Sequence, residues 1–269
     1  MFKEGLEQAY YHAIGIEEFS GLNPLAVGLL IAKSKKHARQ HHSIIEGHPL
    51  PPTGAAIFTA NHHLEADTYK GILAGLTVGR VIRPVLRKSL IHRDSEESKE
   101  FLESIGNKQD KLNKYSPLRA FVLRGIGAIG IMRDNPGQDW IRPSRKTLKN
   151  GLLLSAFLQL TRHKDGCLRN LQNGAAYLMT KFPDTPTYTM ALSGGLPDEP
   201  DKAVASAPIT YNEKKLEYGR DLEIDELTII LADIIAENLP ERPKQHWLAT
   251  REEEAERLRS NRLVSSRRR

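Results

Sequence analysis

The chain has one cysteine, Cys167, in 269 residues, so no internal disulfide can form. It has no apolar run that could cross a bilayer: the most apolar stretch, residues 24–32 (PLAVGLLIA), is about half of the roughly 20 residues a spanning helix needs. The first twenty residues lack the basic start and apolar stretch of a secretion signal, because Glu4, Glu7, Glu17 and Glu18 fall there. The expected location is therefore the cytoplasm. No internal repeat is present. Acidic residues are in deficit: 33 Asp plus Glu face 39 Lys plus Arg, giving a net charge of +6 and a pI near 9.3. A basic surface favours anionic partners such as phosphate esters, lipid headgroups or nucleic acid. Hydrophobic residues at 39% and charged residues at 27% exclude collagen, a disulfide scaffold and wholesale disorder.

Three segments are expected. Residues 1–48 form a helical segment, 49–248 an α/β domain, and 249–269 a charged, flexible tail, helix fraying to disorder, that ends in three arginines. Within the first segment, residues 1–20 read as a weakly amphipathic helix. The apolar run after it meets Lys33, Lys35, Lys36 and Arg39. That pattern suits a helix lying on an anionic membrane surface, and equally one docked on the core with a solvated basic face. Residues 47–54 (GHPLPPTG) make a linker. Short apolar runs at 55–60, 81–86 and 186–192 predict strands, with another starting at Pro208 and one inside 119–132 that ends in a glycine-rich turn. Helical patterns occupy 67–79, 144–160, 171–181 and 225–238, the last with Leu227, Ile230, Leu231, Ile234 and Ile235 on one face. Residues 95–114 are lysine-rich, a surface helix or loop. Strands alternating with helices predict an α/β fold with a largely parallel central sheet flanked by helices.

The densest chemical feature is Asn61-His62-His63-Leu64-Glu65-Ala66-Asp67, directly after an expected buried strand. Strand ends that open into loops are where α/β proteins place their chemistry. His62 and Asp67 would lie about 140° apart on one straight helix, so they meet only if the chain turns between them. His63 and Asp67 could meet on a plain helix. Either pair offers a general base oriented by a carboxylate, and spacing does not choose between them. Chance surface histidines would satisfy the same spacing, since the chain has ten.

Residues 125–130 (GIGAIG) satisfy the dinucleotide fingerprint by count. The following Asp134-Asn135-Pro136-Gly137 turn replaces the required helix, so nicotinamide binding is not expected. Arg133 closes this segment, and Arg162 and Lys164 form a second cationic spot suited to phosphate or carboxylate. His37 and His41 have a helical metal-ligand spacing, but a lysine-rich surroundings argues for a solvated face, and no metal site is expected. Cys167 has no partner that would activate it and reads as a small side chain.

In order, three of these blocks resemble the glycerolipid acyltransferases, the family of lysophosphatidic acid and glycerol-3-phosphate acyltransferases. Its first block is Asn-His, four residues, then Asp: here Asn61-His62 and Asp67. Its second is Gly-x-Ile-x-Ile-x-Arg: here Gly127, Ile129, Ile131 and Arg133. Its third is Phe-Pro-Glu-Gly-Thr-Arg followed by Asp-Gly and Gly-Ala-Ala. Phe157, Thr161, Arg162, Asp165-Gly166 and Gly174-Ala175-Ala176 match, while Leu158, Gln159 and Leu160 depart from it. Residues 186–192 look like its fourth block, a proline-led strand.

The resemblance implies transfer of a fatty acyl group from an acyl thioester to a hydroxyl of a lysophospholipid or glycerol phosphate. His62 would be the base and Asp67 its orienting carboxylate. Arg133 and Arg162 would hold the acceptor phosphate, with Gly127 and Thr161 in the same binding blocks. The donor, acyl-CoA or an acyl carrier protein, is a co-substrate, and no metal or redox cofactor is implied. The implied setting is the cytoplasmic face of an anionic membrane, with no nucleic-acid partner. Gln159 in place of the family's Glu removes a charge and keeps a second reading open: a non-catalytic lipid- or nucleic-acid-binding protein on the same fold.

Overall fold

A computed structural model of the chain describes residues 22–40, 42–63, 67–87, 90–91, 117–131, 139–159, 161–194 and 201–266. The expectations for residues 1–20 and 95–114, and for His41 and Arg133, lie outside them. In chain order the elements are α1 (Pro24–Gln40), β1 (Ile44–Gly47), β2 (Ala56–Ala60), α2 (Asp67–Leu76), β3 (Arg83–Arg87), α3 (Pro117–Gly125) and β4 (Ile129–Ile131). They continue as α4 (Ile141–Lys149), β5 (Leu153–Ser155), α5 (Gly174–Lys181), β6 (Thr187–Ser193), β7 (Lys202–Ala205), α6 (Tyr211–Tyr218), α7 (Ile224–Glu237) and α8 (Glu241–Ser266). The fold is α/β, and its strand pairing is mostly parallel: β1/β7, β2/β6 and β3/β4 are parallel, β6/β7 antiparallel.

The described residues fall into two compact units, each assembled from separated stretches. One takes residues up to 36, 51–55 and 72–154; the other takes 37–50, 56–71 and 155 onward. Neither follows boundaries at 48 and 248. The reason is visible in β1, which comes from the expected N-terminal segment yet pairs with β7 from Ile44↔Lys202 to Gly47↔Ala205.

The second unit carries the candidate chemistry. All five residues of β2 are buried, which is why its sequence is mostly apolar rather than alternating, with the Thr59 hydroxyl donating to the Ala156 carbonyl at 2.7 Å. It runs in register with β6 from Ile57↔Thr187 to Ala60↔Met190. Helix α5 packs on β2, α7 on β6 and α5, and α8 on α7. At the end of β1, Gly47 has φ +88, and a Cβ there would lie 2.0 Å from the Ala205 carbonyl oxygen, so only glycine fits.

The first unit has its own core. Val27, Leu30 and Ile31 of α1 meet Ile72, Val81, Ile91, Leu123 and Ile126. The apolar side of α1 is thus docked, while Leu25, Leu29, Lys33, Lys35, Lys36 and Arg39 are exposed. Arg80 is buried in this unit and donates to the carbonyls of Pro51 (3.0 Å) and Gly151 (2.6 Å). Among the described residues, no helix is long and apolar enough to cross a membrane.

Several local expectations are corrected. Residues 144–160 are not one helix: α4 stops at Lys149, Gly151 turns at φ +75, and β5 follows. Residues 119–131 hold a helix before the glycine turn and a short strand after it; the helix ends at Gly125, where a Cβ would approach Ala26 to 2.2 Å. Near Pro208 there is only an isolated bridge, Thr187↔Ile209, before α6. The charged tail, expected as helix fraying to disorder, keeps its helix through Ser266, with Ala255 and Leu258 buried. Glu254 secures that helix by accepting from the amides of Asn170 (2.9 Å) and Leu171 (3.2 Å).

Candidate active site

Where β2 ends, the Asn61 side chain continues its pairing. Its Nδ2 donates to the Leu192 carbonyl at 2.9 Å, and its Oδ1 accepts from the Leu192 amide at 2.7 Å. The backbone is thereby released from the ladder at the next residue. Helix α2 begins at Asp67, and the end of β2 and the start of α2 bring together two side chains that a straight element would separate.

His62 Nδ1 lies 3.0 Å from Asp67 Oδ2. A carboxylate can only accept, so Nδ1 carries the proton and Nε2 holds the lone pair. Asp67 is fully buried, whereas 19% of the His62 side chain is exposed, so one end of the pair is sheltered and the other reaches solvent. His63 meets the same carboxylate differently: its backbone N–H donates to Asp67 Oδ2 at 2.5 Å. Its ring is buried and donates through Nδ1 to the His163 carbonyl at 3.1 Å. Spacing could not separate the two histidines; their orientations do.

His62 is held from three further sides. Its ring stacks on Phe157, with centroids 4.6 Å apart and planes 17° from parallel. Its carbonyl accepts from the His163 amide at 2.9 Å. Its amide donates to Gln159 Oε1 at 2.8 Å. Gln159 is itself buried, and its Nε2 donates to the carbonyls of Cys167 (3.0 Å) and Arg169 (3.2 Å). This explains the departure at 159. The position needs one acceptor and one two-hydrogen donor, which a carboxamide supplies and a carboxylate does not.

Behind Asp67 lies a third charge. Lys70, also buried, is 3.7 Å from Asp67 Oδ1 and 3.2 Å from Asp201 Oδ1, and it donates to the Ser193 carbonyl at 3.1 Å. Asp201 Oδ2 lies 2.7 Å from His37 Nε2. His37 is therefore engaged with a carboxylate and is not part of a solvated histidine face. Among the described residues no group of three or more His, Cys, Asp or Glu is arranged to hold a metal ion.

The remaining expected residues are placed as follows. Thr161 is exposed, with Oγ1 3.4 Å from His163 Nε2, and Arg162 is exposed beside it. Gly127 lies in the other unit, in the turn before β4, at φ +70, where a Cβ would come within 3.2 Å of the Arg83 side chain. That environment explains the glycine by backbone conformation and packing. The Asp165-Gly166 turn forms, with Gly166 at φ +73. Burial pushes the Asp165 carboxyl up, but the Arg169 guanidinium more than reverses this and holds it at about 2. Burial lowers the His163 imidazole, with Arg169 adding to it, so this ring favours its neutral form. Burial raises the Cys167 thiol, so it is not an activated nucleophile.

Sequence reasoning missed Lys70, Asp201 and His163, and named Phe157 only as part of a matching block. Lys70 had a signal, since it follows Asp67 by one helical turn. Asp201, more than a hundred residues away, had none. Comparisons with protein-family models, with curated proteins and with solved structures give no match to this chain.

Proposed function

We propose that this protein is an acyltransferase that moves a fatty acyl group from an acyl thioester to a hydroxyl of a lysophospholipid or glycerol phosphate. The observation that carries the reading is the 3.0 Å contact between His62 Nδ1 and the buried Asp67, at the open end of β2. In this reading His62 Nε2 takes the proton of the acceptor hydroxyl as its oxygen attacks the thioester carbonyl. The tetrahedral intermediate then collapses, the C–S bond breaks, and the thiolate recovers the proton from the imidazolium. Asp67 keeps the ring in the required tautomer and stabilises the imidazolium between the two transfers. Arg162, in the same compact unit as His62, would bind the acceptor phosphate and so place the hydroxyl. The chemistry calls for no metal or redox cofactor. Exposed Leu25 and Leu29, followed along α1 by exposed lysines, support peripheral attachment to an anionic membrane.

The test is mass spectrometry of lipids after incubation with acyl-CoA or acyl carrier protein and a panel of lysophospholipids in anionic vesicles. Sedimentation of the same mixtures reads membrane binding. Wild-type protein should form the diacyl product. His62→Ala should lose about a hundred- to ten-thousand-fold in rate while still binding vesicles, and His63→Ala much less. Binding without turnover by the wild-type chain would instead favour a non-catalytic lipid-binding protein.

A further inference from the structure

The structure assigns Lys70 and Asp201 as positioning residues that set the basicity of His62, an assignment whose catalytic meaning rests on the reading of His62 as a base. The geometry is a single buried file of alternating groups: His62, Asp67, Lys70, Asp201, His37, with neighbouring polar atoms 3.0, 3.7, 3.2 and 2.7 Å apart. The three inner members are essentially inaccessible to solvent, so water does little to screen them. The two histidines at the ends are the members with measurable exposure.

The signs determine what each inner member does. Asp67 favours a positive charge on His62. Lys70, on the far side of Asp67, draws on the same carboxylate and opposes that charge. Asp201 in turn draws on Lys70 and weakens its opposition. The file thus sets how strongly Asp67 draws on the ring it orients. Asp67 accepts from the His63 amide as well as from His62. Among the described residues, titratable groups near this end include His163, which meets His62 through the backbone and also couples to it electrostatically, and His63, turned to the His163 carbonyl. Helix α1 contributes His37, and β6 contributes the neutral Ser193 carbonyl on Lys70.

Opposite substitutions should therefore shift His62 in opposite directions, which a purely structural role for Lys70 and Asp201 would not produce. The experiment is histidine titration by carbon-13 NMR on the full chain, with the His62 signal assigned from its absence in His62→Gln. Lys70→Met should raise the His62 midpoint by about one pH unit, a tenfold change in its acid dissociation constant. Asp201→Asn should lower it by a smaller amount, and Lys70→Arg should restore it toward wild type. Opposed shifts in proteins with wild-type circular dichroism support the assignment. Shifts in the same direction, or none, overturn it. If Lys70→Met fails to fold, Asp201→Asn decides alone: a lowered midpoint supports the assignment, and an unmoved or raised one overturns it. Because the titration needs no substrate, opposed shifts in a protein that transfers no acyl group would retire the proposed function and leave the charge file intact.

Discussion

Lys70 and Arg80 are both buried outright, one in each compact unit, and they are held by different kinds of oxygen. Lys70 sits among carboxylates and one carbonyl; Arg80 donates to the main-chain carbonyls of Pro51 and Gly151. Through these two neutral carbonyls Arg80 joins two loops. Carboxylates are charged, so what happens at Lys70 is felt at the far side of Asp67. The difference separates a cation that fastens the chain from one that tunes a neighbour. Gln159 and Glu254 extend the contrast, because one neutral and one anionic group each clamp main-chain atoms.

The comparison can be broken at Arg80 first. Arg80→Met should lower unfolding free energy by about 3 kcal/mol, since each abandoned buried carbonyl costs about 1–3 kcal/mol. Chemical denaturation measures it, and Arg80→Lys should recover little, because one ammonium cannot reproduce the guanidinium fork. A variant as stable as wild type would end the view of Arg80 as a fastener.

Gln159→Glu comes next, at about 2 kcal/mol near neutral pH. Its carboxylate would face the carbonyls of Cys167 and Arg169 and be pushed above the ordinary Glu range. An acid whose folded pKa is raised is most penalised at high pH. The deficit should therefore shrink as pH falls through that raised value, which denaturation at a series of pH values would show.

The smallest effect is expected at Glu254. Burial pushes its carboxyl up, but Arg257 and the amides of Asn170 and Leu171 outweigh this and hold it below 4.5. Its contribution is then present above that value and lost as pH falls through the lowered one. Glu254→Gln should cost about 1 kcal/mol at pH 7 and flatten the acid limb of stability against pH. An unchanged acid limb would show that the clamp works without its charge.

Much of the architecture could be read from the residues. The mostly apolar run at 56–60 is a strand buried along its whole length, and the amphipathic pattern near 225–238 is α7. Readings failed where a glycine outranked periodicity. The helical period across 144–160 persists through Asn150-Gly151, but a left-handed Gly151 ends the helix there. The charged tail has few apolar residues, and its docking depends on Glu254 meeting amides more than eighty residues away, which no local pattern records. At the candidate site, the spacing of His62 and Asp67 was legible, and the need for a turn between them followed from helix geometry. The choice of histidine was not, because it depends on which ring is aimed at Asp67. Nor was the meaning of Gln159, whose partners became neighbours only on folding.

Asn61 has a wider consequence. Its side chain impersonates a peptide group, offering Leu192 both halves of a main-chain handshake just as the true backbone departs. Aspartate could not give the donor half, leucine could give neither, and a longer glutamine would overshoot. The bend that carries the imidazole to its acid is thus guaranteed by a residue that takes no part in any proton transfer, and whose identity is dictated by the strand it leaves behind.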